Sequence, residues 1–149
     1  MNARVASLIA TAVLVGAVVA LYLRHDLLGV GVVGITLQVV AVLLMAWARV
    51  TFGRRSFHAA ANPTAGGLVT WGPYRYWRHP IYTAILLFLW AGVLSHGLDP
   101  VALGLTALGT LMTAVRIASE ERLLRAEFPG DSGYDGYARR TRRIIPYVF

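Results

Sequence analysis

Hydrophobic residues in this chain gather into four long runs that are separated by shorter polar stretches. The runs cover residues 5–23, 27–48, 81–95 and 100–115. The third run is somewhat short for a bilayer crossing, and Pro100 is placed to open the fourth run as a helix after the turn SHGLDP. The pattern predicts an all-α integral membrane protein with about four transmembrane helices, in a single membrane domain over residues 1–149.

The first run could be a signal peptide or a span, and the fourth run could end at the membrane or continue as a helix beyond it. The first run lies between Arg4 and Arg24, and its alternative reading is a signal peptide. It is long for the apolar core of such a peptide and no clear cleavage site follows, so we interpret it as a span. The fourth run continues as a helix through RIASEERLLRAEF to about Phe128, because Pro129 and Gly130 then break the helical periodicity.

The charges of the chain divide unevenly between the two sides that four spans would create. The net charge is +7, and all 14 basic residues are arginines. Thirteen of them fall in residues 1–4, 49–80 and 116–149, and Arg24 is the exception. Because cytoplasmic loops are enriched in basic residues, we expect both termini and both polar segments on the cytoplasmic side of a prokaryotic cytoplasmic membrane. Topology therefore accounts for most of the basic surplus, and a nucleic-acid partner is not needed.

Several common kinds of site are excluded or disfavoured by the residue types present. The chain has no cysteine, which excludes disulfides, thiolate metal sites and a cysteine nucleophile. GVGVVG at residues 29–34 lies inside an apolar run, so its glycines favour close helix packing over a dinucleotide site. The four histidines are widely separated, so we expect no metal site. They are His25, His58, His79 and His96.

The two long polar segments are expected to meet beside the hairpin of the third and fourth spans, because one enters that hairpin and the other leaves it. The first contains WGPYRYWRHPIY, residues 71–82. Tryptophan and tyrosine collect at membrane interfaces, which explains part of this stretch. Pro73 and Pro80 add a rigid, non-helical backbone, which near a membrane is tolerated where it lines a cavity. We therefore expect a ligand cleft on the cytoplasmic face.

Arg116 stands directly after the fourth apolar run, at the expected membrane boundary. It lies four residues before Glu120, so the two side chains share one face of a helix. One reading is a simple ion pair between them. The other is that Arg116 holds an anionic substrate group, because a guanidinium is a natural bidentate partner for a carboxylate.

Three pieces of the second half of the chain, taken in order, resemble one family of membrane enzymes. GGLVTWGPYRYWRHPIY, RIASEERLL and FPGDSGYDGYARRTRRIIP lie between about residues 66 and 146. Together they resemble the isoprenylcysteine carboxyl methyltransferase family, as a short prokaryotic-type member, with the phospholipid N-methyltransferases as broader relatives. Members are integral membrane enzymes that use S-adenosyl-L-methionine and release S-adenosyl-L-homocysteine, and they hold the cofactor outside any Rossmann fold.

The resemblance also implies roles for particular residues. Arg116 matches the family arginine that faces the substrate, so it would be both catalytic and substrate-binding. Glu120 would contact the cofactor from the helix after the hairpin. Arg78 and Glu121 are further candidates to which the resemblance gives no role, and for Arg78 we expect an ion pair with Glu121 or with the C-terminal tail, residues 129–149. The rest of the cofactor wall would consist of Gly66, Gly67, Leu68, Val69, Tyr74, His79, Pro80, Ile81 and Tyr82.

The chain departs from the family pattern at two positions. Ala84 stands where a glycine is common, and Gly66 stands where some members have a histidine. The function that the resemblance implies is methyl transfer to a lipophilic small molecule or lipid from the bilayer. A carboxylate acceptor is favoured by Arg116, and an amine acceptor is the first alternative. A sterol-reductase-like enzyme that uses NADPH and a non-catalytic scaffold are the other classes. The sequence predicts neither the identity of the acceptor nor the oligomeric state.

Overall fold

The structure of the protein, a computed structural model, describes residues 3–53 and 67–144. The regular elements in these two stretches are all helical, which confirms the predicted all-α class. A short 3₁₀ turn at Gly72–Arg75 precedes the third helix. The helices are α1 (Ala3–Leu23), α2 (Gly31–Phe52), α3 (Pro80–Ser95), α4 (Pro100–Glu127) and α5 (Tyr134–Arg140).

Three of the helices, α1, α2 and α4, are long and apolar enough to cross a membrane, and α3 is a shorter apolar helix. Large apolar side chains on α2 point away from the protein: Val32 is 83% exposed, and Val50 is 82% exposed. Such a surface would be unfavourable in water but is expected where lipid surrounds a helix. The protein is therefore an integral membrane protein, as the hydrophobic pattern predicts.

The four apolar helices pack as two pairs, α1 against α4 and α2 against α3. α3 and α4 are neighbours in sequence but touch each other less extensively than they touch these partners. A common apolar core joins α1, α3 and α4, and its buried residues are Leu14, Leu21, Leu89, Val93 and Ala102. This pairing brings α1 against the part of α4 that continues toward the polar half of the chain.

The connection between α1 and α2 packs closely over α3, and α2 begins at Gly31 rather than at Leu27. Gln38, which is buried, donates to the carbonyl of Leu27 at 2.8 Å and accepts from the amide of Gly29 at 2.8 Å. A Cβ on Gly92 of α3 would lie 2.1 Å from the Leu27 carbonyl oxygen. Residues before Gly31 are therefore held as an irregular segment by a side chain of the helix that follows.

Two glycines of the 29–34 run serve close packing, because a Cβ on Gly29 would lie 2.9 Å from the carbonyl carbon of Gly34. Gly31, in contrast, has a φ of +69° and open space around its Cβ position. A Cβ on Gly34 would lie 2.7 Å from the Cβ of Ser95. The Ser95 hydroxyl accepts from the amide of Val30 at 2.9 Å, which ties the start of α2 to the end of α3. These contacts confirm that glycines of this run allow close packing.

The turn between α3 and α4 is capped and anchored by charged residues. Asp99 is the N-cap of α4 and accepts from the amide of Ala102 at 2.8 Å, directly before the predicted opening at Pro100. Arg24 donates to Asp99 at 2.7 Å and to Asp26 at 3.0 Å. The one arginine outside the three basic regions therefore ties the end of α1 to the start of α4.

Candidate functional site

The C-terminal tail lies directly against the segment that precedes α3. The amide of Arg78 donates to the carbonyl of Arg142 at 2.7 Å, and the amide of Arg142 donates to the carbonyl of Tyr76 at 3.1 Å. Trp77 and Arg142 form an isolated parallel bridge. The two polar segments therefore meet beside the α3–α4 hairpin, as the order of the spans predicts.

A buried tyrosine of α5 contacts the backbone of the segment that precedes α3. The Tyr137 hydroxyl donates to the carbonyl of Tyr74 at 2.8 Å. Burial raises the pKa of Tyr137 well above its ordinary value, so the hydroxyl keeps its proton and remains a donor. Tyr74 is itself buried and stacks at a tilt against Phe52, with 5.3 Å between the ring centroids. The 3₁₀ turn is therefore fixed between α2 and α5.

Glu121 is the electrostatic centre of the polar half of the molecule. Its side chain is 1% exposed, and it accepts two hydrogen bonds from Arg143, at 2.8 and 3.2 Å. His79 Nε2 and Arg78 Nε each lie 3.3 Å from Glu121 Oε1, and Arg125 lies 3.6 Å from the other oxygen. One buried carboxylate thus joins α4, the tail and the R-H-P motif, which is residues 78–80.

Arg78 connects the same cluster to the end of α5. Its Nη1 donates to the carbonyl of Ala138 and, at 2.9 Å, to the carbonyl of Thr141. These are carbonyls of the last helical turn and the C-cap of α5, where a cation is favourable. The expected ion pair of Arg78 is therefore formed with Glu121, and Arg78 contacts the tail through hydrogen bonds to backbone carbonyls.

Tyr82 lies between the two residues expected to face substrate and cofactor. Its hydroxyl accepts a hydrogen bond from Arg116 Nε at 3.1 Å and donates to Glu120 at 3.0 Å. The Arg116 guanidinium also lies over the Tyr82 ring, 5.7 Å from its centroid. His79 packs beside the same ring, with 5.7 Å between centroids. The phenol therefore links Arg116 to Glu120.

Two polar residues of α1 also contact Arg116, and neither was predicted from the sequence. Arg116 Nη1 donates to Thr11 Oγ1 and lies 3.5 Å from the carbonyl of Ser7. Arg116 is 9% exposed, so these contacts hold it within the protein. The spacing of Ser7 and Thr11 on one face of an apolar helix is the sequence signal that could have found them.

The structure places half of the residues predicted for the cofactor in two groups, one apolar and one polar. Val69, Tyr74 and Ile81 pack with Ala48 of α2 in an apolar group. Tyr82, Glu120 and Arg116 form the polar group described above. Of the remaining predicted residues, His79 and Pro80 are buried, Leu68 is half-buried, Gly67 is exposed, and Gly66 lies outside the described residues.

An apolar cavity of about 400 Å³ lies between α1, α2 and α3, close to the polar group. Leu14 lies one turn after Thr11 in α1, and Ile85 lies one turn after Tyr82 in α3. Both residues line the cavity, together with Ala84, which is the position where the family often has glycine. The arrangement can accept an elongated apolar group that ends near Arg116.

Most of this chain is similar in sequence to known proteins. Residues 32–126 match the Isoprenylcysteine carboxyl methyltransferase (ICMT) family. The chain is 34% identical over 127 residues to the nickel-cobalt-cadmium resistance protein NccN of Alcaligenes xylosoxydans xylosoxydans, covering 84% of this chain and 52% of that protein. It is 35% identical over 124 residues to the cobalt-zinc-cadmium resistance protein CzcN of Cupriavidus metallidurans, covering 80% and 49%.

The chain thus spans about half the length of the curated relatives it matches. No solved structure matches it at a comparable level. The family match covers more than half of the chain and includes the R-H-P segment, Tyr82, Arg116 and Glu120. The chain therefore belongs to the isoprenylcysteine carboxyl methyltransferase family.

Proposed function

We propose that the protein is a membrane-embedded methyltransferase that uses S-adenosyl-L-methionine and methylates the carboxylate of a lipophilic acceptor. The observation that carries the proposal is the contact of Tyr82 with both Arg116 and Glu120. It joins a guanidinium suited to a carboxylate with a carboxylate suited to the cationic cofactor. The two reactants would therefore be held on opposite sides of one phenol.

The residues assigned to the cofactor offer chemistry that suits it. The apolar group of Val69, Tyr74 and Ile81 can pack against an adenosyl moiety. Gly67 has a φ of +79°, and a Cβ there would meet nothing within 4 Å, so a ligand can approach its backbone. The carboxylate of Glu120 can accept hydrogen bonds from the hydroxyl or ammonium groups of the cofactor.

The chain's own residues would act by holding and orienting. Arg116 would bind the acceptor carboxylate in a bidentate manner, and Tyr82 would fix the plane of the guanidinium. When bound, S-adenosyl-L-methionine supplies an electrophilic methyl group that a carboxylate takes up without a general base. The proposed reaction therefore needs no acid–base pair beside Arg116.

The apolar cavity supports a lipophilic acceptor. It begins one helical turn from Thr11 and Tyr82, and its lining is almost entirely aliphatic and aromatic. A ligand with its anionic end at Arg116 would place its tail among these residues, in the membrane-embedded part of the protein. The relatives are named for resistance to nickel, cobalt, cadmium and zinc, and these names do not state an acceptor.

The test is transfer of a labelled methyl group from the cofactor into a membrane lipid extract and a panel of prenylcysteine analogues. We expect a base-labile methyl ester as the product. Arg116→Ala should abolish turnover with little change in the affinity for S-adenosyl-L-homocysteine, and Arg116→Lys should also be impaired because lysine cannot bind bidentately.

Arg122 provides the matched control, because it is an exposed arginine on the same helix. Arg122→Ala and Arg122→Lys should keep wild-type turnover. Full activity in Arg116→Lys would contradict bidentate carboxylate recognition. A base-stable methylamine product would identify an amine acceptor, and binding of NADPH in place of S-adenosyl-L-homocysteine would contradict the proposed class.

A further inference from the structure

The first helix contributes to the site, although the family match begins at residue 32 and so leaves α1 outside it. Thr11 accepts a hydrogen bond from Arg116 Nη1, and Tyr82 of α3 accepts one from Arg116 Nε at 3.1 Å. The guanidinium is therefore held from two directions by two hydroxyl groups. Both groups are neutral, so they orient the guanidinium without cancelling its charge.

Ser7 provides a second, independent observation beside the same contact. Its side chain is 0% exposed, and its hydroxyl has no hydrogen-bond partner within residues 3–53 and 67–144. Unsatisfied buried polar groups are uncommon in native proteins, and each calls for an explanation such as a ligand, an ion or a water molecule. Ser7 and Thr11 lie one turn apart on the face of α1 that contacts Arg116.

We propose that Thr11 and Ser7 are positioning residues for Arg116, and that they fix its guanidinium toward the anionic end of the acceptor. Thr11 would set the direction of the Nη1 side of the guanidinium, and the Ser7 hydroxyl would add a donor to the bound anion. The inference rests on the proposed carboxylate acceptor. It assigns to α1 the selection of an anionic group over a neutral one.

The apolar half of the same ligand follows from the helix geometry. Leu14 and Val18 lie one and two turns beyond Thr11 on α1, and both line the apolar cavity. An acceptor bound by Arg116 would therefore run along α1, with its charged end at Thr11 and its tail past Leu14. This placement makes a single-chain carboxylate amphiphile a suitable probe.

The experiment measures equilibrium binding of fluorescent dodecanoate and of its methyl ester to the purified protein in detergent, so it requires no turnover. Thr11→Val removes only the hydroxyl, and Thr11→Ser keeps it. Thr106→Val is the matched control, because Thr106 is fully buried and its hydroxyl donates to the carbonyl of Ala102 at 2.9 Å. Thr11 makes the same kind of bond to the carbonyl of Ser7, at 2.7 Å.

We expect the wild type, Thr11→Ser and Thr106→Val to prefer the carboxylate over the ester. Thr11→Val should lose about tenfold in carboxylate affinity, since a hydrogen bond to a charged group is lost, with ester affinity unchanged. Ser7→Ala should shift the preference in the same direction by a smaller factor. Affinity for S-adenosyl-L-homocysteine, measured in the same preparations, should be equal in all variants.

An unchanged carboxylate preference in both Thr11→Val and Ser7→Ala would overturn the inference. So would a wild type with no preference for the carboxylate, or an equal loss of ester and carboxylate binding in Thr11→Val. Failure of the proposed function looks different. In that case the wild type fails to bind S-adenosyl-L-homocysteine, while the difference between Thr11→Val and Thr106→Val in carboxylate binding remains.

Discussion

At the scale of single residues, the polar half of the molecule depends on one buried carboxylate that serves four basic side chains. Arg143 and Arg125 are partly exposed, so their pairs with Glu121 are screened by solvent and contribute little each. Arg78 and His79 are largely buried beside Glu121, so their contacts with its carboxylate are screened less and contribute more to stability. Glu121 therefore stabilises the R-H-P motif more than it stabilises the arginines at the surface.

Replacing Glu121 with glutamine should destabilise the protein by about 1.5–3 kcal/mol, since it removes charge-assisted hydrogen bonds and leaves Arg78 without its anionic partner. The tail would be held against residues 78–80 by its backbone hydrogen bonds but without the Glu121 ion pairs, so affinity for S-adenosyl-L-homocysteine should fall as well. Thermal unfolding and equilibrium binding measure the two effects. Glu127→Gln, an exposed change on the same helix, should alter neither, and equal stability of the two variants would contradict this role for Glu121.

The sequence predicted some of these contacts and missed others for a physical reason. Arg78 and Glu121 are charges in two segments that the order of spans brings together, so their pairing follows from topology. Thr11 and Arg116 are 105 positions apart, and a neutral hydroxyl in an apolar run has many possible partners. Only the pairing of α1 with α4 makes Thr11 the partner, and hydrophobicity alone does not specify which helices pair.

At the scale of the elements, the short third helix explains how the site is reached. α3 has 16 residues and is therefore about 24 Å long, less than the roughly 30 Å of a hydrocarbon core. The irregular segment before Pro80 would then lie at or just below the membrane surface, where Tyr137 and Arg142 satisfy backbone groups of the segment. Helix ends in α3 and α4 were predictable from Pro80, Pro100 and Pro129, whereas the late start of α2 depended on the distant side chain of Gln38.

The contact between α3 and the segment before α2 should tolerate no added methyl group. A Cβ on Gly92 would lie 2.1 Å from the backbone oxygen of Leu27, so Gly92→Ala must separate the two elements. We expect a loss of about 1–3 kcal/mol in unfolding free energy, measured by denaturant titration in detergent. Gly104→Ala is the control, because a Cβ on Gly104 of α4 would meet nothing within 4 Å and alanine favours a helix. Equal stability of the two variants would contradict the close approach.

At the scale of the whole molecule, different ion pairs hold the two ends of the helix bundle. Arg24 and Asp99 form an ion pair at the end that carries the two short connections. The Glu121 cluster and the described part of the tail occupy the other end, which carries most of the arginines within residues 3–53 and 67–144. The number of long helices and the segregation of charge were predictable from the sequence, but the helix pairing that forms the site was not.

The charge distribution predicts the orientation of the molecule, with the Glu121 end in the cytoplasm. Because the chain has no cysteine, single cysteines can report this without background labelling of the protein. Leu98→Cys, in the turn between α3 and α4, should react with a membrane-impermeant maleimide on intact cells, since Leu98 is 75% exposed. Ala126→Cys, at the exposed end of α4, should react only after the cells are permeabilised. The reverse pattern would place the Arg116 site outside the cytoplasm, where S-adenosyl-L-methionine made in the cytoplasm would not reach it directly.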